Sequence, residues 1–283
     1  MAPIAEIRPS PIAGTWYSSN PEKLAEQIDD FLFRAELTKI PGKVFGLVAP
    51  HAGHRYSGLT AGHAYRSVQG SSYKLVIILS PSHAYYPAEL LTSAHRFYAT
   101  PLGNIPVHLD ALTLLQQGLK KAGGSIERVE EDEEHSIEIQ LPFLQRALKD
   151  EFSLLPVMMR SQSSDTVDQL AKALSPVIKK YRSLVIASSD LSHFYPLENA
   201  NALDGEMLKM VEKCSPEGVL AVESNGSGSA CGAGPIAVVL KLAREAGATH
   251  VKVVHRSTSA EVTGDLTSVV GYGAAVIYYD EVK

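Results

Sequence analysis

Cysteine is scarce in this chain: only Cys214 and Cys231 occur among 283 residues. Small secreted folds depend on several paired cysteines, so two residues of this type exclude a disulfide-stapled scaffold. The first residues also lack a basic segment followed by an apolar core, which is the pattern of a secretory signal. We therefore expect a cytoplasmic protein in which both thiols are free.

Long apolar runs and basic runs are missing as well. No apolar stretch approaches the roughly 20 residues that cross a bilayer, so we expect no membrane span. The 26 Lys and Arg residues are outnumbered by 31 Asp and Glu residues, and the formal net charge is -5. Phosphate recognition needs a concentrated excess of positive charge, so no nucleic-acid-binding face is expected. A small molecule or a peptide, of unknown identity, remains as the expected ligand.

Two common catalytic motifs are absent. No segment matches the nucleotide-binding pattern G-x-x-x-x-G-K-[ST], and none matches the nucleophile pattern G-x-S-x-G. The segment "GSGSACGAG" at 226–234 has G-x-G spacing, but it follows no predicted strand. A nucleotide enzyme and a serine hydrolase are therefore not expected, and Ser188 and Ser189 are interpreted as strand-end residues.

The chain does have a regular alternation of apolar strands with helical segments. The predicted strands are rich in Val, Ile and Leu and lie at 43–50, 74–81, 152–159, 183–190, 250–257 and 268–279. Helical spacing is found between and around them at 21–37, 109–123, 135–150, 164–181, 201–214 and 234–247. Strands without a polar face require helices on both sides of the sheet. The sequence therefore predicts an α/β fold, a three-layer sandwich around a central, mostly parallel sheet, in one domain over residues 1–283.

Three of the predicted strands end in histidine. His51 follows the strand at 43–50, His83 follows the strand at 74–81, and Asp190 with His193 ends the strand at 183–190. In open α/β sheets, side chains just after the strands converge on the ligand-binding crevice. Neutral imidazole is the commonest metal ligand in proteins, and a site with open positions needs about three protein ligands. A metal site is predicted, although each histidine taken alone also fits a hydrogen-bonded turn residue.

Cys231 stands just before a predicted helix. A helix N-terminus stabilises anions, so we expect the Cys231 thiol to have a lowered pKa and to act as a nucleophile or a metal ligand. The alternative is a small buried thiol. Asp190 and His193 are three residues apart, and we expect the carboxylate to fix the tautomer of an imidazole that exchanges protons. Asp190 also fits a helix N-cap, which is compatible with that role.

Two further segments have an interpretation of their own. The acidic segment "VEEDEEH" at 129–135 is interpreted as a solvated loop or helix start rather than a metal site, because adjacent like charges repel. His135 begins a predicted amphipathic helix and fits capping, surface exposure or a position in a pocket. The Gly- and Ser-rich segment at 223–234 is expected to be flexible and to form a wall or lid of a site.

Six separated motifs resemble those of the Memo family, known in prokaryotes as AmmeMemoRadiSam system protein B. They occur in the family's order from about Ile12 to the last strand: "AGTWYSSNPEKL", "APHAGHRYSG", "SPSHAYYP", "DEEHSIEIQLPFL", "SSDLSH" and "CGAGPI". The resemblance covers nearly the whole chain. It implies a fold similar to the class III, LigB-type extradiol dioxygenases, which hold non-haem iron through two histidines and one carboxylate.

The resemblance also implies roles for particular residues. Carried over by motif, the metal ligands are His51, His83 and Cys231, while Asp190 and His193 line the same pocket, with His193 as the acid/base. A thiolate in place of the carboxylate is softer and favours copper, zinc or a redox-active iron site.

Two other positions depart from the family pattern. His54 stands where the family usually has an aromatic residue, and an extra imidazole there is expected either to alter metal coordination or to replace packing. Ala84 stands where a second histidine often follows the motif "PSH".

The leading functional hypothesis is a metal-dependent, dioxygenase-like oxidoreductase that uses one iron or copper ion, with zinc as a further option, on an unknown small molecule. The alternatives are a non-catalytic adaptor that binds peptides beside a vestigial site, and a metal-assisted hydrolase with His193 or Asp190 as base. The family name further implies a functional link to a radical-SAM protein and an Ammecr-type partner. Some aromatic residues suggest a pocket lining or, equally, ordinary packing: Tyr56, Tyr85, Tyr86 and Phe194.

Overall fold

A computed structural model describes residues 6–36 and 38–280 of the chain. Its strands are β1 (Ile7–Arg8), β2 (Val44–Ala49), β3 (Leu75–Pro81), β4 (Leu90–Ser93), β5 (Phe97–Thr100), β6 (Gly103–Pro106), β7 (Glu127–Val129), β8 (Ser153–Met159), β9 (Ser183–Ser188), β10 (His193–Tyr195), β11 (His250–Thr258) and β12 (Val269–Tyr278). Its helices are α1 (Pro21–Arg34), α2 (His54–Arg66), α3 (Leu109–Lys121), α4 (His135–Glu138), α5 (Leu141–Ala147), α6 (Ser164–Lys180), α7 (Leu197–Glu212), α8 (Pro216–Ser224), α9 (Ala233–Ala246) and α10 (Ala260–Thr263). The predicted single domain over 1–283 and the prediction about the first residues extend beyond the described residues.

The centre of the fold is a large sheet in the strand order β10-β12-β2-β9-β3-β8-β4-β7, with β11 paired to β12. Strands β2, β9, β3 and β8 run parallel, and β12 joins β2 in the antiparallel sense. In β3, Ile77 faces one apolar core and Ile78 faces the other. Helices α3, α6 and α9 cover the first core, and α1, α2 and α5 cover the second. The predicted three-layer α/β sandwich with a mostly parallel sheet is confirmed.

The strand order explains how the predicted site residues meet. Strands β2, β9 and β3 are direct neighbours, and because they are parallel their carboxyl ends lie at the same edge of the sheet. The segments that follow them carry His51, Asp190 and His83. These three residues therefore leave adjacent strands on one edge, although they are far apart in sequence.

Helix α2 was not anticipated from the sequence, because its buried face consists of small and polar residues rather than large apolar ones. Two glycines of this helix lie against α1. A Cβ atom on Gly58 would come within 2.4 Å of the Phe31 ring, and one on Gly62 would come within 2.8 Å of the Phe31 carbonyl oxygen. The glycines therefore allow α1 and α2 to pack closely, and α2 begins three residues after His51.

Other predicted elements differ in their limits. The helix predicted over 135–150 is divided into α4 and α5, since Pro142 stands in the first turn of the second helix, where a missing backbone N–H costs nothing. The helix predicted over 21–37 ends at Arg34, and Leu37 lies outside the described residues. Among the helices of the described residues, none has both the length and the apolar character required to cross a membrane.

The segment at 223–234, predicted to be flexible, is held by several hydrogen bonds. The Ala230 amide donates to the Glu223 carboxylate at 2.6 Å, and the Gly228 amide donates to the Val222 carbonyl at 2.9 Å. At the end of the segment, a Cβ on Gly232 would lie 2.7 Å from the Ser188 carbonyl oxygen. The absence of a side chain there allows the segment to approach the end of β9, so it forms a wall of the site.

Candidate metal centre

Three predicted metal ligands meet at the carboxyl edge of the sheet. One donor atom from each of His51, His83 and Cys231 lies within 4.8 Å of the other two. The Cys231 Sγ atom is 3.2 Å from His51 Nε2, and the rings of His51 and His83 are 5.3 Å apart between centroids. Three donors that bind one ion at about 2.0–2.3 Å lie about 3.3–4.0 Å from one another. The pair of Cys231 and His51 already has nearly this spacing, and His83 lies within 4.8 Å of both.

The His51 ring has its tautomer set by Ser188. The Ser188 hydroxyl donates its single hydrogen to the Ser136 carbonyl at 2.6 Å and accepts from Gln140 Nε2 at 2.8 Å. The contact of 3.1 Å between Ser188 Oγ and His51 Nδ1 therefore requires the proton on Nδ1. Burial, and next the neighbouring His135, hold the pKa of His51 well below its ordinary value. The neutral ring thus presents a free Nε2 lone pair toward Cys231.

The Cys231 thiol does not have the lowered pKa that its place before α9 predicts. Burial is the main cause of a pKa raised above the ordinary thiol value, and the charge of Asp190 adds to it. The helix N-terminus is outweighed because the sulfur is withdrawn from water beside a carboxyl group. A coordinating cation deprotonates a thiol outright, so the raised pKa does not prevent ligation.

His83 is oriented by Glu134. Its backbone amide donates to Glu134 Oε2 at 2.7 Å, and its Nδ1 donates to Glu134 Oε1 at 2.9 Å. Burial acts to lower the pKa of His83, but the hydrogen bond and charge of Glu134 outweigh it and raise the pKa. For Glu134, hydrogen bonds from His83 outweigh burial and lower the pKa. A carboxylate on Nδ1 leaves Nε2 as the free ligand atom, as in carboxylate–histidine–metal arrangements.

A second group of residues, His83, Glu134 and His135, also has ligand atoms within 4.8 Å of one another. It does not fit a metal ion well, because the Glu134 oxygens are already used. Besides the two bonds to His83, Oε1 accepts from the Ser136 amide at 3.0 Å and from the Ser136 hydroxyl at 2.8 Å. Glu134 is therefore an orienting group for the first set rather than a ligand of a second one.

His135, whose position the sequence left open, lies beside the site. Its ring centroid is 4.5 Å from that of His83, 5.5 Å from that of His51 and 4.4 Å from that of Trp16. Burial is the main cause that lowers the pKa of His135 to about 4. A third imidazole, which is neutral at pH 7, therefore lines the site, packed against an indole.

Asp190 and His193 do not interact in the predicted way. Asp190 Oδ1 accepts from the backbone amides of His51 at 2.7 Å and Ala52 at 3.2 Å, and no helix begins at Asp190. The N-cap prediction is therefore wrong. Burial raises the pKa of Asp190 to about 7. The carboxyl group holds the turn that carries His51, and it leaves the tautomer of His193 to another group.

That group is the Leu191 carbonyl, which lies 3.0 Å from His193 Nδ1 and fixes the proton there. The loop is pinned by Gly271, whose amide donates to the Ser192 carbonyl at 2.8 Å and whose carbonyl accepts from the Leu191 amide at 2.9 Å. Burial lowers the pKa of His193, and the charge of nearby His83 adds to this effect. The next residue, Phe194, has the left-handed φ of 64°, which costs a non-glycine residue about 1–2 kcal/mol.

His54 belongs to the core and not to the metal site. Its ring lies 5.2 Å from Tyr17 and 5.1 Å from Phe143 between centroids, and its Nε2 is 3.3 Å from the Ile139 carbonyl. Burial lowers the pKa of His54 to about 4. Of the two expectations for this residue, the packing role agrees with the geometry.

The acidic segment at 129–135 is only partly solvated. Asp132 and Glu134 are buried, whereas Glu130, Glu131 and Glu133 are exposed. The interpretation as a solvated loop is therefore wrong for the two inward residues. Their alternate spacing was a usable signal, since every second side chain of an extended segment points the same way. Arg8, which pairs with Asp132 and donates to the Glu134 carbonyl, gave no signal of its own.

Several exposed aromatic side chains stand close in sequence to the site residues. The predicted lining residues Tyr85 and Phe194 are 80% and 72% exposed, and Tyr56 is also exposed. Tyr86 is half-buried, and its hydroxyl donates to the Glu131 carbonyl at 3.2 Å. Tyr85 lies under the Arg160 guanidinium, with 4.8 Å between Cζ and the ring centroid. The exposed rings are free to contact a ligand rather than packed in the core.

Comparison with known proteins decides the family. Residues 8–276 match the model of the Memo-like protein family. The chain belongs to this family. The MEMO1 family protein of Methanosarcina acetivorans is 31% identical to it over 275 residues, which cover 96% of this chain and 99% of that relative. The MEMO1 family protein of Saccharolobus solfataricus is 34% identical over 278 residues, or 93% and 96% of the two chains.

A bacterial relative agrees with these two. The MEMO1 family protein of Thermotoga neapolitana is 33% identical over 287 residues, which cover 96% of this Memo-like chain and 99% of the relative. The names of these relatives give a family and no reaction. The chemistry of this Memo-like protein therefore depends on the donor atoms and their surroundings.

Proposed function

We propose that this Memo-like protein is a metal-dependent redox protein that binds one iron or copper ion through His51, His83 and Cys231. The observation that supports the proposal is the meeting of two imidazoles and one thiol within 4.8 Å, with both imidazoles held in the tautomer that frees Nε2. Such tautomer control by neighbouring groups is characteristic of metal-ligating histidines. Zinc suits the same donors and is the main competitor.

The donor set suits a redox-active ion. Imidazole suits iron, copper and zinc, and a thiolate shifts the preference toward softer ions. Three protein ligands leave coordination positions open for a substrate. When bound, such an ion supplies one-electron chemistry and a point of attachment for a ligand. A thiol ligand must stay reduced, which agrees with the cytoplasmic location that we infer from cysteine usage.

The remaining residues have separate roles in this proposal. His193, with its proton fixed on Nδ1 by the Leu191 carbonyl, offers Nε2 to accept or return a substrate proton. Asp190 holds the backbone of His51 in place. The exposed rings of Tyr85 and Phe194 offer flat apolar surfaces, so we infer a small planar molecule as substrate. The functional link to radical-SAM and Ammecr-type proteins stays a prediction.

The first test is metal analysis of protein purified without added metal. We expect about one iron or copper ion per chain in the wild type and a large loss in His51→Ala, His83→Ala and Cys231→Ser. Matched controls are His250→Ala and Cys214→Ser, which change the same residue types away from the site. Equal metal content in the ligand variants and the wild type would refute the proposed ligands.

A second test separates redox chemistry from the alternatives. Voltammetry of the iron- or copper-loaded protein should show a reversible one-electron wave that the zinc-loaded protein lacks; absence of this wave for both metals contradicts the redox function. The exposed aromatic rim favours a peptide-binding adaptor as the second candidate. Peptide binding that persists in the His51→Ala variant would support the adaptor, and turnover that continues without dioxygen would support a hydrolase.

A further inference from the structure

The N-terminal segment places a fully buried arginine next to the acidic segment. Arg8, at the end of β1, is 0% exposed. Its Nε lies 3.0 Å from Asp132 Oδ2, its Nη1 lies 2.5 Å from Glu138 Oε2, and its Cζ stands 4.7 Å from the centroid of the Tyr98 ring. Strand β1 pairs with β5, so this arginine is delivered by a small sheet outside the main one.

This cluster holds the backbone of Glu134. Arg8 Nη2 donates to the Glu134 carbonyl at 2.8 Å, and the Glu134 amide donates to Asp132 Oδ1 at 3.1 Å. Both backbone polar groups of Glu134 are therefore fixed by the pair of Arg8 and Asp132. The Glu134 side chain in turn holds His83 at two points, the backbone amide and Nδ1. An unbroken series of short contacts thus leads from Arg8 to the free Nε2 of His83.

The same N-terminal segment reaches the site a second time. The Trp16 ring packs at a tilt of 41° against the His135 ring, and the Trp16 carbonyl accepts from the His54 amide at 3.0 Å, at the start of α2. The Tyr17 hydroxyl donates to Glu138 Oε1 at 2.5 Å, beside the Arg8 contact. Residues 8–17 therefore contact both the loop that carries Glu134, the partner of His83, and the helix that follows His51.

Stability alone is a poor explanation for this cluster. Desolvating an arginine and two carboxylates costs about as much as their attraction returns, and well-packed apolar replacements are often as stable. A buried ionic cluster is better suited to fixing one geometry. We propose that Arg8 is a positioning residue of the metal centre, which acts through Glu134 to hold His83 in its ligating tautomer and orientation. This inference rests on the proposed metal site.

The test compares Arg8→Met, which keeps the volume and removes the donors, with the wild type. The probe is Co²⁺ alone, followed by its thiolate charge-transfer absorption, and the affinity is expected to fall 10–100-fold, as for other changes behind a ligating histidine. The control is Leu174→Ala in α6, a buried core change on the other face of the sheet. It should lower the melting temperature and leave the Co²⁺ affinity unchanged. Unchanged affinity in Arg8→Met would overturn the inference.

A second readout needs no metal. Nitrogen-15 NMR of the imidazoles should show His83 with its proton on Nδ1 in the wild type and a mixture of tautomers in Arg8→Met; identical tautomers would also overturn the inference. If Arg8→Met does not fold, Arg8→Lys takes its place, because one ammonium group cannot reach both carboxylates and the Glu134 carbonyl. Failure of the wild type to bind Co²⁺ through His51, His83 and Cys231 would instead refute the proposed function, and the tautomer measurement would still decide the role of Arg8.

Discussion

The two histidines of the candidate metal centre are held in different ways. His51 is buried, and a neutral hydroxyl on the central strand β9 sets its tautomer. His83 has 41% of its side chain exposed, and a charged carboxylate from a loop sets its tautomer. The buried side of the site thus depends on neutral hydrogen bonds and packing, whereas the exposed side depends on charge. The two sides should therefore respond differently to pH, salt and substitution.

Acid should destabilise the buried side of the site before the exposed side, because the buried His54 must then take up a proton. The pKa of His54 is lowered to about 4 from an ordinary value near 6.5, so the unfolded chain binds the proton more tightly. Stability is then lost as the pH falls from about 6.5 to 4, by about 3 kcal/mol at 1.36 kcal/mol per pKa unit. We expect His54→Phe to retain more of its pH 7 stability at pH 4 than the wild type does, as measured by urea unfolding.

The control for this prediction is metal binding at pH 7.5. Because His54 contacts Tyr17 and Phe143 and not the ligands, the metal content of His54→Phe should equal that of the wild type. A parallel loss of stability with acid in both proteins would assign the acid sensitivity to other groups.

Ser188→Ala should weaken the buried side without a change of charge. It leaves His51 Nδ1 and one hydrogen of Gln140 without an acceptor, and unpaired buried groups of this kind cost about 1–3 kcal/mol each. We expect a loss of about 2 kcal/mol in unfolding free energy and a 10–100-fold loss in Co²⁺ affinity. The control is Ser67→Ala, which removes a hydroxyl that donates to the Ala64 carbonyl at the far end of α2 and should leave the Co²⁺ affinity unchanged. Equal metal affinity in Ser188→Ala and the wild type would show that the hydroxyl does not set the His51 tautomer.

Glu134→Gln should weaken the exposed side of the site, because it removes the negative charge beside His83. The pKa of His83 is raised by Glu134, so the charged pair stabilises the fold below the unfolded pKa of about 6.5 and loses this effect as the pH rises through the raised value. The variant should lower the pKa of His83, measured by NMR titration, and weaken Co²⁺ binding about tenfold.

Glu133→Gln is the matched control, since Glu133 is exposed and adjacent in sequence. It should leave both quantities unchanged. A His83 pKa that is the same in Glu134→Gln and Glu133→Gln would contradict the dependence of the exposed side on this carboxylate.

The smallest effect is expected for a substitution at a residue that belongs to neither side of the site. Tyr85 is 80% exposed, and substitutions at such positions change stability by no more than about 0.5 kcal/mol. We expect Tyr85→Ala to keep the stability and the Co²⁺ affinity of the wild type. A change in Co²⁺ affinity of more than about threefold would show that the rim takes part in holding the ligands.

The residues that follow the strands were the more predictable part of the site from sequence. Apolar strands followed at once by His51, His83 and Asp190 place these residues at one edge, because parallel neighbouring strands end together. Cys231 was less evident, since its position before a helix predicted a lowered pKa and burial reverses that sign. Its assignment came from the resemblance to the Memo family.

The groups behind the ligands were not predictable in the same way. The partners of Asp190 are backbone amides, which leave no mark in the sequence. Arg8 and Glu134 are more than 120 residues apart and meet only because the small sheet brings β1 to the edge of the main one. Hydrophobic periodicity indicates which face of an element is buried. It does not indicate which distant charged residue pairs with a buried carboxylate.

Asp190 accepts hydrogen bonds from two main-chain amides, those of residues 51 and 52. It fixes residue 51 by its backbone, so the place that the ring occupies is defined by the scaffold and does not depend on the ring itself. Evolution is thereby free to exchange the side chain at this position without rebuilding the turn, and the chemistry of the centre can change while its architecture stays constant.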